Sequence, residues 1–192
     1  MNAFSRWGEF VFWVIAVAVL TGLTHIALIL LMPSVAARDA FSILSEIAPV
    51  GATEVLPRPT PGARRLPFLD PTTAAAFCRY DLTQGPIRVR APVGRAGFFS
   101  LSFHSRRGAV FYALTDRAAA HGKLEAVIAT AAQLRALQAG DDEDNPSQEL
   151  RIVSPTTYGF VLTRVLSELP SLYPQAEEQA RTLQCVNEPT NR

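Results

Sequence analysis

Four side chains in one stretch of this 192-residue chain could together move a proton: His104, Tyr112, Asp116 and Arg117. They offer a base, a hydroxyl and a charged pair, the groups that a hydrolase or a metal-assisted enzyme places around a reacting bond. The same residues also suit a plainer role, with Asp116-Arg117 as a turn and Tyr112 on the rim of a sheet. His121, beside Gly122, reads as a turn residue. There is no Gly-x-Ser-x-Gly elbow, no phosphate loop and no Gly-x-Gly-x-x-Gly fingerprint, so no serine nucleophile or nucleotide site is singled out. No Cys or His pair has zinc spacing. The acidic run Asp141-Asp142-Glu143-Asp144 lacks the alternating ligands and turn glycine of a calcium loop and reads as a solvated loop. No cofactor is expected.

Three other residues carry possible chemistry. His25 is the one ionisable side chain in the apolar run Phe10–Met32. An imidazole in hydrocarbon needs a partner, so it either packs against another helix or takes part in proton or partner chemistry. Cys78 and Cys185 are the only cysteines. An even count on an exported domain reads as a disulfide, and two buried thiols of a cytoplasmic domain are the alternative. Arg79, Arg88, Arg90, Arg106 and Arg107 are concentrated in the first half of the soluble part. On one face they would meet anionic head groups or an acidic partner; on separate strand edges they would be ordinary solvated charges. The net charge of +1 gives no reason to expect nucleic acid.

The elements that must position these residues begin with the apolar run. Phe10–Met32 holds no Asp, Glu, Lys or Arg, and as a helix it measures about 34 Å, enough for a hydrocarbon core of about 30 Å. Residues 1–32 therefore read as an uncleaved transmembrane anchor, longer than the apolar region of most signal peptides; a cleaved leader is the alternative, since Ser34 and Ala36, or Val35 and Ala37, stand at the spacing a signal peptidase reads. Arg6 before the run and only Arg38 closely after it lean towards a cytoplasmic amino terminus. Residues 33–50 read as a juxtamembrane helix opened by Ser34, with Ala40, Ile43, Leu44 and Ile47 at helical spacing. Residues 51–69 hold Pro57, Pro59, Pro61 and Pro67 and read as an extended linker.

Residues 70–192 then form one domain. Asp70-Pro71 suggests a capped short helix through Cys78. From Pro86 the period changes to two. Strands are expected over 86–91, 97–104 and 109–114, with Arg106-Arg107-Gly108 turning a hairpin. Another strand begins at Leu124, and a short helix follows over 131–138, ending at Gly140. Strands at 149–153 and 158–165 and a last helix over 174–183 complete the pattern. The expected class is mainly β (α+β): an N-terminal transmembrane helix followed by a β-sandwich-like domain with short peripheral helices.

The segments Phe77-Cys78-Arg79-Tyr80-Asp81-Leu82 and Gly85-Pro86-Ile87-Arg88-Val89-Arg90-Ala91-Pro92 resemble a bacterial family catalogued as domain of unknown function 1254. Phe99-Ser100-Leu101-Ser102, Gly108, Phe111-Tyr112-Ala113-Leu114, Asp116-Arg117-Ala118 and Cys185 continue the likeness, and Ala37-Arg38-Asp39-Ala40-Phe41 resembles the segment after the anchor in its short, single-anchor membrane branch. Thr115 departs from the asparagine expected there. The resemblance implies a β-sandwich-like domain and supplies no catalytic residues. Longer relatives fuse a similar domain to a second one, catalogued as 1214, so a separate protein carrying that domain is the expected partner beside the lipid bilayer. Two functions are therefore expected to compete. One is a periplasmic binding or assembly module tethered to the bacterial inner membrane. The other is an envelope enzyme centred on His104, Tyr112, Asp116 and Arg117.

Overall fold

The computed structural model describes residues 3–35, 39–60, 62, 66, 69–94, 97–141 and 149–187. It divides into two units, Met1–Arg38 and Asp39–Arg192. The first is a single helix, α1 (Ala3–Val35). Within it Trp7–Met32, 26 residues of mean hydropathy 2.5, is long and apolar enough to cross a bilayer, a test that a signal sequence also passes. The hydroxyl of Thr24 donates to the carbonyl of Leu20 at 2.9 Å, so the helix satisfies it internally.

The second unit is a sandwich of two sheets. Its strands are β1 (Thr53–Val55), β2 (Thr73–Asp81), β3 (Ile87–Pro92), β4 (Phe99–Ser105), β5 (Val110–Thr115), β6 (Lys123–Ala129), β7 (Arg151–Val153), β8 (Tyr158–Leu166) and β9 (Gln184–Asn187). One sheet has the order β1-β2-β8-β4-β5 and is antiparallel throughout; the other has the order β7-β6-β3-β9, with β6 and β7 parallel. Alternation along the strands supplies the core. Leu101 and Phe103 of β4 and Val161 and Val165 of β8 meet Ile87 and Val89 of β3 and Ala126 and Ile128 of β6. The helix α4 (Tyr173–Arg181) adds Tyr173, Ala176 and Ala180 to that core. The helix α3 (Ala131–Ala139) starts in a capping box of Thr130 and Gln133. A disulfide joins Cys78 of β2 to Cys185 of β9 and so ties one sheet to the other.

A second, smaller core lies on the outer face of the five-stranded sheet. There α2 (Ala40–Ile47) sets Phe41 and Leu44 on Phe77, Phe160 and Leu162. This cover explains the first departure from expectation. The stretch after Asp70 is no helix: all nine residues of β2 pair with β8. A strand buried on both faces loses its alternation and becomes a continuous apolar run, and Thr73–Cys78 is alanine-rich besides, so its pattern imitates a helix. Asp70 closes a turn, accepting from the amide of Thr72 at 2.8 Å.

Two further boundaries differ. α2 is capped by Asp39, whose carboxylate accepts from the Ser42 amide at 2.7 Å, and not by Ser34. The stretch expected as a linker contains β1 and the buried Leu56. Residues 142–148, the body of the acidic run, lie outside the described residues; Asp141 holds Arg151 through two hydrogen bonds of 2.6 and 2.7 Å.

Candidate functional site

The chemistry-bearing residue with the most defined surroundings is His104, near the end of β4. Gly108, in the β4–β5 turn, offers a carbonyl 3.0 Å from its Nδ1. A carbonyl can only accept, so Nδ1 carries the hydrogen and Nε2 is left basic. Ser102, two residues earlier on the same face, places Oγ 2.9 Å from Nε2. The imidazole stacks on Phe160 with centroids 4.4 Å apart. Burial disfavours its cation and holds its pKa below 6.5; the Gly108 carbonyl acts the other way, and the charge of Arg164 adds to the lowering. A hydroxyl on a neutral imidazole is the arrangement that activates a serine. Here both side chains are buried, at 6% and 7% exposure, and the hydroxyl's other neighbours are the Leu162 carbonyl at 3.2 Å and Arg164 Nη1 at 3.4 Å.

The four expected site residues do not converge. A bulge between Phe103 and His104 shifts the β4–β5 register: His104 pairs with Val110, but Phe103 pairs with Tyr112. Moving the register by one residue turns a side chain to the other face of the sheet. Tyr112 therefore shares the face of Phe103, its ring 6.1 Å away, while His104 points to the face covered by α2 and Phe160. Asp116 and Arg117 open a turn of 3-10 helix after Thr115, which pairs with Ser100. That is the opposite end of β5 from the His104 pairing, about 17 Å along the strand.

The arginines also divide. Arg79 and Arg106 belong to the α2 cover, their Cζ atoms 4.7 and 4.2 Å from the Phe41 ring centroid. Arg106 pairs with Asp39 at 2.7 Å, and Arg79 donates to the Ala48 carbonyl at 3.0 Å. Burial opposes the ionised form of Asp39, but hydrogen bonds from Ser42 and then Arg106 outweigh it and lower its pKa. Arg88 and Arg90 stand on the other sheet and hold Glu125 at 3.0 and 2.8 Å, where Lys123 joins at 2.7 Å. The hydrogen bonds from Lys123 and then Arg90 pull Glu125 down to about 2, against some burial, with Arg88 assisting. Arg79 and Arg106, under α2, and Arg88 and Arg90, on the other sheet, therefore do not make one cationic face, the first of the two readings of these arginines.

Sequence reasoning singled out neither Ser102 nor Arg164. Period two from His104 points at Ser102. Arg164 interrupts the otherwise apolar or hydroxyl-bearing run Phe160–Val165. One surface feature also needed the structure. β5 is an end strand of its sheet, and it exposes Val110 at 57% and Tyr112 at 39%. His25 lies inside Trp7–Met32 of α1.

Comparison with known proteins places this geometry. A model of the family described as Protein of unknown function (DUF1254) matches residues 52–187. Among solved structures, the VPA0106 protein from Vibrio parahaemolyticus is similar over 79% of this chain and 36% of its own, at 10% identity and a TM-score of 0.53. That likeness is one of fold. An uncharacterised protein from Burkholderia cenocepacia is similar over 79% of this chain and 41% of its own, at 14% identity and a TM-score of 0.45. The chain thus spans well under half the length of these two structures. No curated protein matches.

Proposed function

We propose, for a chain that belongs to the DUF1254 family, a membrane-tethered binding module: a single-pass protein of the bacterial inner membrane whose sandwich domain works in the periplasm and docks a partner protein along β5. The observation that carries the reading is the free edge of β5. Its outer row of amide and carbonyl groups has no neighbouring strand among the described residues, and apolar Val110 and Tyr112 stand exposed beside it. Edge strands are ordinarily blunted by charge, proline, cover or a bulge; β5 has its bulge near Val110, but from Tyr112 to Thr115 it carries no charge or proline and stays a template for strand addition. The length of α1 supports the tether. The Cys78–Cys185 disulfide supports an oxidising compartment, since cytosolic thiols are kept reduced.

The partner proposed is a separate protein bearing the second domain that longer relatives fuse to this one. Fused domains mark pairs that profit from proximity, which is an argument by analogy. Cross-linking in intact cells followed by purification of the full chain tests it. Recovery of that partner with the wild type, and its loss in a Val110→Lys/Ala113→Lys variant that melts normally, is the expected result. Recovery unchanged by the edge lysines would sink the β5 assignment. Labelling of the two cysteines from the cytoplasmic side without reductant would overturn the periplasmic placement.

A further inference from the structure

The outer face of the five-stranded sheet carries a groove of about 280 Å3 close to the α2 cover. Its wall is largely apolar, made by Leu56, Pro57, Leu69, Ala75 and Tyr173. Arg164 lines the same groove, standing on β8 between Ala75 of β2 and Ser100 of β4. Among the described residues the guanidinium makes one hydrogen bond, the long contact of 3.4 Å from Nη1 to Ser102. The ion pairs of the described residues engage Arg88, Arg90, Arg106, Lys123, Arg151 and Arg181, and Arg164 is in none of them. Neighbouring groups partly desolvate the guanidinium and pull its pKa below the ordinary arginine value, yet the residue remains accessible from solvent.

A guanidinium set among apolar carbon, with donors to spare, is a half-built recognition site. It offers paired N–H groups whose geometry matches the two oxygens of a carboxylate. A second cation stands near: Arg58 lies 4.3 Å from the centroid of the Tyr173 ring. Asp70 is the one acid lining the groove among the described residues, and its oxygens already accept from the amide and hydroxyl of Thr72 and the hydroxyl of Thr73. A ligand of high negative charge would be repelled by Asp70, whereas one carboxylate can turn to Arg164. The volume corresponds to roughly nine water volumes of about 30 Å3 each, the size of a short alkyl acid.

We propose that this groove binds an amphipathic monocarboxylate, with its carboxylate on Arg164 and its alkyl chain against Leu56, Leu69 and Ala75. The site is separate from β5 and stands or falls without the docking reading.

The test uses the full chain in phospholipid nanodiscs, titrated with octanoate carrying carbon-13 at its carboxyl, with empty nanodiscs correcting for partition into lipid. The carboxyl resonance of octanoate is expected to shift saturably with the wild type. Arg164→Met, which keeps the apolar stem and removes the charge, should weaken binding by about tenfold or more. Ala75→Leu, which fills the groove and leaves Arg164 in place, should weaken it too. Octanol should fail to compete. Thermal melts of both variants check that they fold. Absence of saturation with the wild type, octanoate binding unchanged in a folded Arg164→Met, or competition by octanol equal to that by octanoate would each overturn the proposal.

Discussion

Phe103 of β4 stands opposite Tyr112 of β5, one residue further along β5 than the pairing of His104 with Val110 would place it in an unbroken hairpin. In a regular register Tyr112 would face the same side as His104, and the pair could share a proton. The bulge sends the phenol to the Phe103 side and the imidazole to the Phe160 side. Substitutions at the two positions should therefore act independently. In urea unfolding, the destabilisation of a His104→Ala/Tyr112→Ala double variant should equal the sum of the single effects within about 0.5 kcal/mol. A coupling clearly above 1 kcal/mol, roughly, would mean that the two side chains meet after all.

His104 should lower acid tolerance in a defined direction. Its folded pKa lies below 6.5 because burial opposes the cation. As pH falls below 6.5, the unfolded chain takes up a proton that the folded chain refuses, so stability declines until the folded pKa is passed. His104→Asn, which keeps a donor for the Gly108 carbonyl, should flatten that part of the curve of urea midpoint against pH. An unchanged slope would contradict burial of a neutral imidazole.

Glu125 should act lower on the pH scale. Its folded pKa of about 2 sits below its ordinary 4.5, because Lys123, Arg90 and Arg88 donate to it. Between those values the unfolded chain binds the proton first, so the stability from this ion-pair array is present above pH 4.5 and is lost as pH falls towards about 2. Glu125→Gln should be less stable than the wild type near neutrality and lose less on acidification through that window. Parallel acid curves for the two proteins would refute the array's contribution.

The Cys78–Cys185 bridge closes a sequence separation of 107 residues and links the two sheets. On the chain-entropy account such a loop is worth about 4–5 kcal/mol. A Cys78→Ala/Cys185→Ala variant should lose stability on that order by urea unfolding, and the wild type alone should change gel mobility on reduction. Equal stability of the two would show that the bridge adds nothing to the fold.

Much of the sandwich was legible from period alone. The strands around Val89 and Leu101 set apolar side chains on the main core and polar ones on the other face, so alternation survives in the sequence. β2 was not legible, because α2 covers its second face and erases the alternation at Ala75 and Phe77. β1 and β9 are 3 and 4 residues long, too short for any period to register. The candidate site was legible in part: His104 was expected at the end of a strand, but a one-residue bulge decides which side Tyr112 takes. Arg164 reaches Ser102 across 62 residues of chain, a proximity made only by strand order.

The central claim is that β5 is the partner-binding edge of a tethered domain, and the most direct measurement is site-specific photocross-linking in living cells. A photoreactive residue at Val110, exposed on β5, should give one discrete adduct containing the second-domain partner. The same residue at Ala132, exposed on α3, should give none. A matching adduct from both positions, or an adduct from Ala132 alone, would contradict the account.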